Sequence, residues 1–346
     1  MSRRSDYGQP PSREPGHESV YDMICVVREA AQRLVREMKR AEAWTSGWSD
    51  RRLSGALVET ALRRCLATLA SLQCWGRDNE MLSHELWRIA GKWLERGWLQ
   101  SLTRDNSHQF DDSELLTRLT DQTVSTDPLG RTFDEYFIKQ SGSLAIRNRS
   151  ELLASEISRS YLRRQPAEFH ILSFGSGPGG EVHHFLQQLS SARRGAVRLT
   201  LVDHSSQALQ NARLRLHTHA QLANLVLEQE NLFRMSEPSH PESVSLDTDF
   251  LICPGLFDYL SEAAAPQMLS YLYRRLAPRG RMLVGNFSPH NPTRAYWEWI
   301  GNWYLNYRDE SSLQQIAAAA GIPESQTRVF ADSFGVILYL DVTRRE

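Results

Sequence analysis

The chain has no apolar run of about 18 residues, which excludes a transmembrane helix of ordinary length. It is poor in cysteine: Cys25, Cys65, Cys74 and Cys253 lie far apart, with no Cys-x-x-Cys pair. That excludes a zinc ribbon or a disulfide frame, leaves no metal expected, and fits reduced thiols in a cytoplasmic protein. Residues 2–19 lack the apolar centre of a signal peptide and are rich in Pro, Gly and charge, so a disordered tail is expected there. An excess of one charge is missing too. The chain has 40 Lys and Arg against 41 Asp and Glu, a net charge of -1, so no global basic field points to nucleic acid. No repeat stands out, and no strand-like run precedes residue 165.

What is present is length and an ordinary apolar content, 346 residues with 41% hydrophobic, enough for one large domain or two smaller ones. Apolar residues recur at helical spacing over residues 20–39 (Ile24, Val27, Ala31, Leu34, Val35, Met38). Residues 44–49 break the pattern. Further helices are expected over 53–75, 79–97 and 113–120, with a polar loop over 105–112. The tryptophans of this third (Trp44, Trp48, Trp75, Trp87, Trp93, Trp98) suit either inter-helix packing or a ligand channel. A helical connector over 131–164 ends at Gln165-Pro166.

From there strands and helices alternate. Strands are expected at 169–174, 198–202, 225–229, 249–253 and 281–286. Helices are expected at 180–189, 205–219 and 262–276, and a polar loop over 235–248 precedes the fourth strand. A parallel sheet with helices on both faces follows. Residues 292–307 and 311–320 read as helices. The final strands, 327–332 and 336–342, are joined by Ser333-Phe334-Gly335, which permits only an antiparallel hairpin. The expected fold is thus α/β, a Rossmann-like, seven-stranded, mostly parallel sheet with an antiparallel C-terminal hairpin, plus an N-terminal all-helical module. The expected divisions are 1–19 tail, 20–125 helical module, 126–165 connector and lid, and 166–346 α/β domain.

The first strand runs into Gly175-Ser176-Gly177-Pro178-Gly179-Gly180 at a helix start. Glycine lets backbone turn sharply and approach a ligand, and the helix N-terminus offers unpaired N–H groups. Gly175, Gly177 and Gly180 satisfy G-x-G-x-x-G, and Asp203 ends the second strand where an acid would hold ribose hydroxyls. The loop alone fits NAD or S-adenosylmethionine. An NAD(P)-dependent oxidoreductase requires a second parallel half-sheet, whereas the chain ends in a hairpin.

On Ile171-Leu172-Ser173-Phe174-Gly175-Ser176-Gly177-Pro178-Gly179, Leu201-Val202-Asp203, Glu230-Asn231-Leu232, residues 250–260 and Leu276-Ala277-Pro278-Arg279-Gly280, the chain resembles the class I S-adenosylmethionine-dependent methyltransferases. The resemblance spans about 130–343. It implies that Gly175, Ser176 and Gly177 pass under the methionine part and ribose, and that Asp203 accepts from both ribose hydroxyls. His204 would flank the adenine, which Asn231 and Leu232 bracket. Cys253, Pro254 and Gly255 would lie beneath the sulfonium. Arg147 or Arg149, with Arg147 preferred for its apolar neighbours, would pair with the methionine carboxylate or an acidic acceptor. Ser173 departs from the family, which carries Asp or Glu there; a hydroxyl, a backbone carbonyl or a water must replace that carboxylate.

A narrower resemblance, over residues 284–299 and Trp303-Tyr304-Leu305-Asn306-Tyr307-Arg308, is to bacterial methyltransferases of hydroxy-fatty-acid methyl ester signalling and relatives in natural-product clusters. It implies methyl transfer to a small-molecule acceptor, at a carboxylate or hydroxyl. Tyr296, Trp299, Ile300 and Trp303, on one helical face, suit an acceptor wall or core packing; Arg308 is a further acceptor contact. A hydroxyl acceptor needs a base, for which His290 and Tyr259 are candidates, and Asn286 could orient the acceptor oxygen. His290 and Asn286 equally suit turn capping. The amino-methylating Asn/Asp-Pro-Pro-Tyr signature is replaced by Cys253-Pro254-Gly255-Leu256, against a nucleic-acid substrate. The helical module would cap the site or form a homodimer. A non-catalytic binding or regulatory protein of the same fold is the remaining alternative.

Overall fold

The computed structural model describes residues 20–45, 51–106, 113–164, 167–217, 219, 224–235 and 247–345. The expected tail, most of the 44–49 break with Trp48, residues 107–112, Gln165-Pro166 and residues 236–246 lie outside the described residues.

The N-terminal helices pack by their apolar stripes. In α1 (Val20–Thr45), Val27, Ala31, Leu34, Met38 and Ala41 are buried. They face α2 (Arg51–Ser71), which buries Val58, Leu62, Cys65 and Leu69, and α3 (Glu80–Leu94), which buries Leu82, Leu86, Ala90 and Trp93. This is the i, i+3, i+4, i+7 spacing of a helix with one buried face. Helix α4 (Trp98–Asn106) occupies residues the sequence left unassigned or read as loop. Its first N–H groups, Trp98 N and Leu99 N, donate to the buried Asp134 carboxylate at 3.2 and 3.0 Å. A distant carboxylate therefore supplies the cap, which no local pattern announces. Helix α5 (Ser113–Thr120) follows. The expected single connector is two helices, α6 (Pro128–Ile138) and α7 (Ser141–Arg164). Asp127 caps α6, accepting from Gly130 N at 2.7 Å, and Pro128 occupies its first turn.

Strands β1 (Phe169–Phe174), β2 (Val197–Asp203), β3 (Asn224–Gln229), β4 (Thr248–Cys253), β5 (Leu276–Phe287), β6 (Thr327–Ala331) and β7 (Ile337–Thr343) form one sheet in the order β3-β2-β1-β4-β5-β7-β6. The first five are mutually parallel; β7 pairs antiparallel with both β5 and β6. The reversed strand stands where a dinucleotide fold would continue with parallel strands. Helices α8 (Gly180–Gln188), α9 (Ser191–Arg194), α10 (Ser206–His217), α11 (Ala264–Tyr273) and α12 (Glu310–Ala319) complete the α-helices among the described residues. Strand β5 begins five residues earlier than expected. Thr248 pairs with Leu276, and the register shifts before Phe250 meets Arg281, so the Pro278-Arg279-Gly280 turn is carried inside the strand, with Arg279 at φ 63°.

Side chains alternate across the sheet. Leu172, Phe174, Leu251, Cys253, Met282 and Leu340 pack with α11 and α12. Ile171, Leu201, Phe250, Ile252, Leu283 and Tyr339 face the other way and are continuous with the core of the helical region. One apolar core thus runs from α1 to the sheet. No helix among the described residues is long and apolar enough to cross a membrane.

The expected helix over 292–307 is cut short to residues 294–300. Its last five residues, Tyr296–Ile300, form a π-helical turn, and residues 302–309 have no regular structure. Tertiary bonds hold this backbone instead: Trp303 N donates to Trp297 O (2.9 Å), Asn306 N to Asp258 O (2.7 Å) and Arg308 N to Phe287 O (3.0 Å). The helical region adds Ser83 Oγ to Trp299 O and Trp87 Nε1 to Ile300 O, both 2.9 Å.

Candidate active site

The site is built at the carboxyl ends of β1, β2 and β4. The chain leaves β1 through Gly175, Gly177 and Gly179, with φ of 66°, 50° and 69°. Those are left-handed values that favour glycine. A Cβ at Gly177 would meet nothing within 4 Å, so its backbone borders open space. Asp203 locks the loop: Gly177 N donates to Oδ2 at 2.7 Å and Ser205 N to Oδ1 at 2.9 Å. His204 Nδ1 lies 3.3 Å from Asp203 Oδ1, and its Nε2 is buried with no hydrogen-bond partner.

A cleft spreads from this loop. Gly175, Ser176, Gly177, Asp203 and His204 form its floor, Leu232 and Phe233 one flank, and Pro254, Gly255, Leu256, Asp258 and Tyr259 the far side. Phe287 and Trp303 form the back wall; Trp303 Nε1 donates to the Tyr259 hydroxyl at 3.0 Å. Trp303 in turn packs on Trp297, ring centroids 4.7 Å apart. Helix α7 lends Ile146, Arg149 and Ser150, and α5 lends Leu116 and Thr120. The helical region therefore closes part of the mouth.

The residues singled out from sequence fall into two groups. Gly175, Ser176, Gly177, Asp203, His204, Leu232, Pro254, Gly255, Tyr259 and Trp303 come together on the cleft. The others lie elsewhere. Arg147 is not on the cleft wall, whereas Arg149 is: two residues along a helix turn the side chain by about 200°, so only one of them can face it. Asn231 is exposed, and its Oδ1 accepts from Phe233 N at 3.2 Å. Cys253 is fully buried on the opposite sheet face, and burial pushes its thiol far above the ordinary range. His290 is exposed in a loop, where its N–H donates to Ser288 Oγ. Asn286 is fully buried and donates to Asn306 O and Phe287 O.

Arg308 is a staple. It donates to Phe257 O (2.6 Å), Leu260 O (2.6 Å) and Asn286 Oδ1 (2.9 Å) and pairs with Glu262. Tyr296 packs on Tyr136 and Phe137 at 5.7 and 5.1 Å, and burial drives its phenol well above the usual value. Trp299 is wholly buried. Both belong to the junction between helices and sheet.

That junction has its own polar centre. Glu298, with a fully buried side chain, accepts from Arg294 Nε (2.7 Å), Gly76 N (2.7 Å) and Asn79 Nδ2 (3.2 Å). Burial raises its carboxyl, and Arg294 and the other donors pull it back. Arg294 is sandwiched over Trp75 and Tyr307 at 4.7 and 4.4 Å.

Reasoning from sequence missed Glu181, Phe233, Asp258 and the α5 residues. Glu181, in the first turn after the glycine loop, and Asp258, just beyond β4, carried a positional signal; Leu116 and Thr120 carried none.

Residues 172–282 match the methyltransferase-domain family. Among solved structures, a possible exported protein from Bordetella parapertussis is 16% identical, with 97% of this chain and 100% of that one covered and a TM-score of 0.53. The CurJ carbon methyltransferase is 12% identical, with 94% and 93% covered and a TM-score of 0.52. At such identities the likeness concerns the fold. No curated protein matches the sequence. The chain thus carries a methyltransferase domain of class I architecture.

Proposed function

We propose that the protein is an S-adenosylmethionine-dependent O-methyltransferase acting on a small, partly apolar molecule, at a carboxylate. The carrying observation is that one cleft joins the Asp203-locked glycine loop to an aromatic wall of Tyr259, Phe287 and Trp303. The floor fits the cofactor: Gly177 leaves its backbone open to a ligand, and His204 Nε2 is an unpartnered polar atom beside Asp203. Asp203 would hold the ribose hydroxyls, Leu232 and Phe233 the adenine, and Arg149 the methionine carboxylate. When bound, the cofactor supplies a sulfonium methyl group that an acceptor lone pair takes as the carbon–sulfur bond breaks.

The chain's own groups then position and exclude water. The aromatic faces favour a nearby cation by about 0.5–2 kcal/mol. With its oxygen accepting from Trp303, the Tyr259 hydroxyl is a donor for the acceptor oxygen. A carboxylate is ionised near pH 7 and needs no base. This suits a back wall of Tyr259, Phe287 and Trp303, with His290 away in an exposed loop. Four free cysteines agree with a cytoplasmic setting.

Calorimetric titration with S-adenosylmethionine and with NADH tests the cofactor. Tight NADH binding without S-adenosylmethionine binding would overturn it. Transfer of radiolabelled methyl to base-labile esters tests the acceptor; label found only in base-stable products would overturn the carboxylate.

A further inference from the structure

This inference rests on the cofactor reading above and deepens it at the amino-acid end. Ser173 stands where the related enzymes carry an acid, and its buried hydroxyl has no hydrogen-bond partner and no charge. An ammonium group brought into a sheltered cleft needs an opposite charge beside it. Three carboxylates border the cleft: Asp203, Asp258 and Glu181. Asp203, which also accepts from Gly177 N and Ser205 N, is assigned to the ribose, and Asp258 Oδ1 accepts from Phe287 N at 2.7 Å.

Glu181 is held differently. It is 4% exposed, and its ion-pair partner among the described residues is Arg149 Nε at 3.4 Å. That Nε is buried and makes no hydrogen bond, and Arg149 Nη1 reaches Pro254 O only at 3.4 Å. A cation and an anion thus stand side by side on the cleft wall, neither saturated by the other. Behind them lies Tyr339, fully buried, its hydroxyl also without a partner. A Cβ on Gly285 would lie 3.4 Å from its ring edge and 2.6 Å from Pro254 O.

An α-amino acid zwitterion complements this arrangement, its carboxylate facing the guanidinium and its ammonium the carboxylate. We infer that Glu181 supplies the negative charge for the cofactor's ammonium, so that the acid absent from the end of β1 is relocated to the first turn of α8. Arg149, whose Nε makes no hydrogen bond, completes its hydrogen bonds on the zwitterion's carboxylate.

The test is calorimetry on the full chain with two ligands: S-adenosylhomocysteine, and 5′-methylthioadenosine, which lacks the amino-acid end. Glu181→Gln is expected to weaken the first by about 10- to 100-fold and the second by less than about twofold. Glu181→Asp, which keeps the charge, retains more affinity for the first than the Gln variant does. Equal losses for both ligands, no loss for S-adenosylhomocysteine, or identical behaviour of the Asp and Gln variants would overturn the assignment. A wild-type chain that binds neither ligand would instead overturn the cofactor reading on which it rests.

Discussion

Two of the places where helices meet the α/β half, the Glu298 junction and the Glu181 side of the cleft, are built in opposite ways. At the junction each oxygen of Glu298 has a donor within 2.7 Å, and Arg294 is sandwiched between two aromatic rings. At the cleft, Glu181 and Arg149 stand 3.4 Å apart, and Arg149 Nε makes no hydrogen bond. A buried polar group left unsatisfied costs about 1–3 kcal/mol. A fold keeps such groups where a ligand completes them, and fills them where it needs only rigidity. Between these two carboxylates, saturation rather than charge or burial is what differs.

The sharpest way to break the comparison is to remove Glu298. Glu298→Ala leaves the half-buried Arg294, Gly76 N and Asn79 without their acceptor and is expected to cost about 2–4 kcal/mol of stability, read from urea unfolding. The folded fraction should keep its cofactor affinity within about twofold. A cofactor defect larger than the stability loss would show that the junction belongs to the site.

Asp203→Ala strips the loop of two backbone partners and the ribose of its acceptor. Its expected effect is a fall of about 100-fold or more in S-adenosylmethionine affinity by calorimetry. Unchanged affinity would mean that Asp203 serves only the loop. Tyr259→Phe should do less, lowering kcat/KM for the acceptor by about 3- to 10-fold with cofactor affinity intact. A loss confined to cofactor binding would move Tyr259 to the other end of the cleft.

The smallest effect concerns the far side of α8. His183 and His219 lie nitrogen to nitrogen at 3.1 Å; burial, then the neighbouring His219, lowers His183 to about 4. The unfolded chain takes up that proton near pH 6.5. Between those values the unfolded state binds more protons, so the stabilising contribution is complete above pH 6.5 and is lost as pH falls towards 4. His183→Asn should flatten the fall in melting temperature over that range and leave the value at pH 8 nearly unchanged. A fall of wild-type steepness in the variant would assign the acid limb to other groups.

Most of the sheet was legible because its signals are local. Apolar runs ending at glycine or an acid marked β1, β2 and β4, and a three-residue link fixed the sense of the β6–β7 pair. The stretch 292–307 was misread because its aromatic spacing is helical while its backbone is held from outside, by Ser83, Trp87 and Asp258. The same local signals located Gly175, Gly177 and Asp203. Arg149 was weighed but ranked behind Arg147, since the choice depends on the rotation of α7 against the sheet. Glu181 was not legible as a site residue because its facing the cleft depends on how α8 is turned against the sheet.

Strand β7 is the last strand of the sheet to be made, yet it lies between β5 and β6. While the ribosome is still adding residues 337–343, β5 has an open edge and β6 has no neighbour in the sheet. Birth order and spatial order therefore conflict. The nascent chain can assemble its helices and five parallel strands early, but the sheet closes only when its last strand slides between β5 and β6.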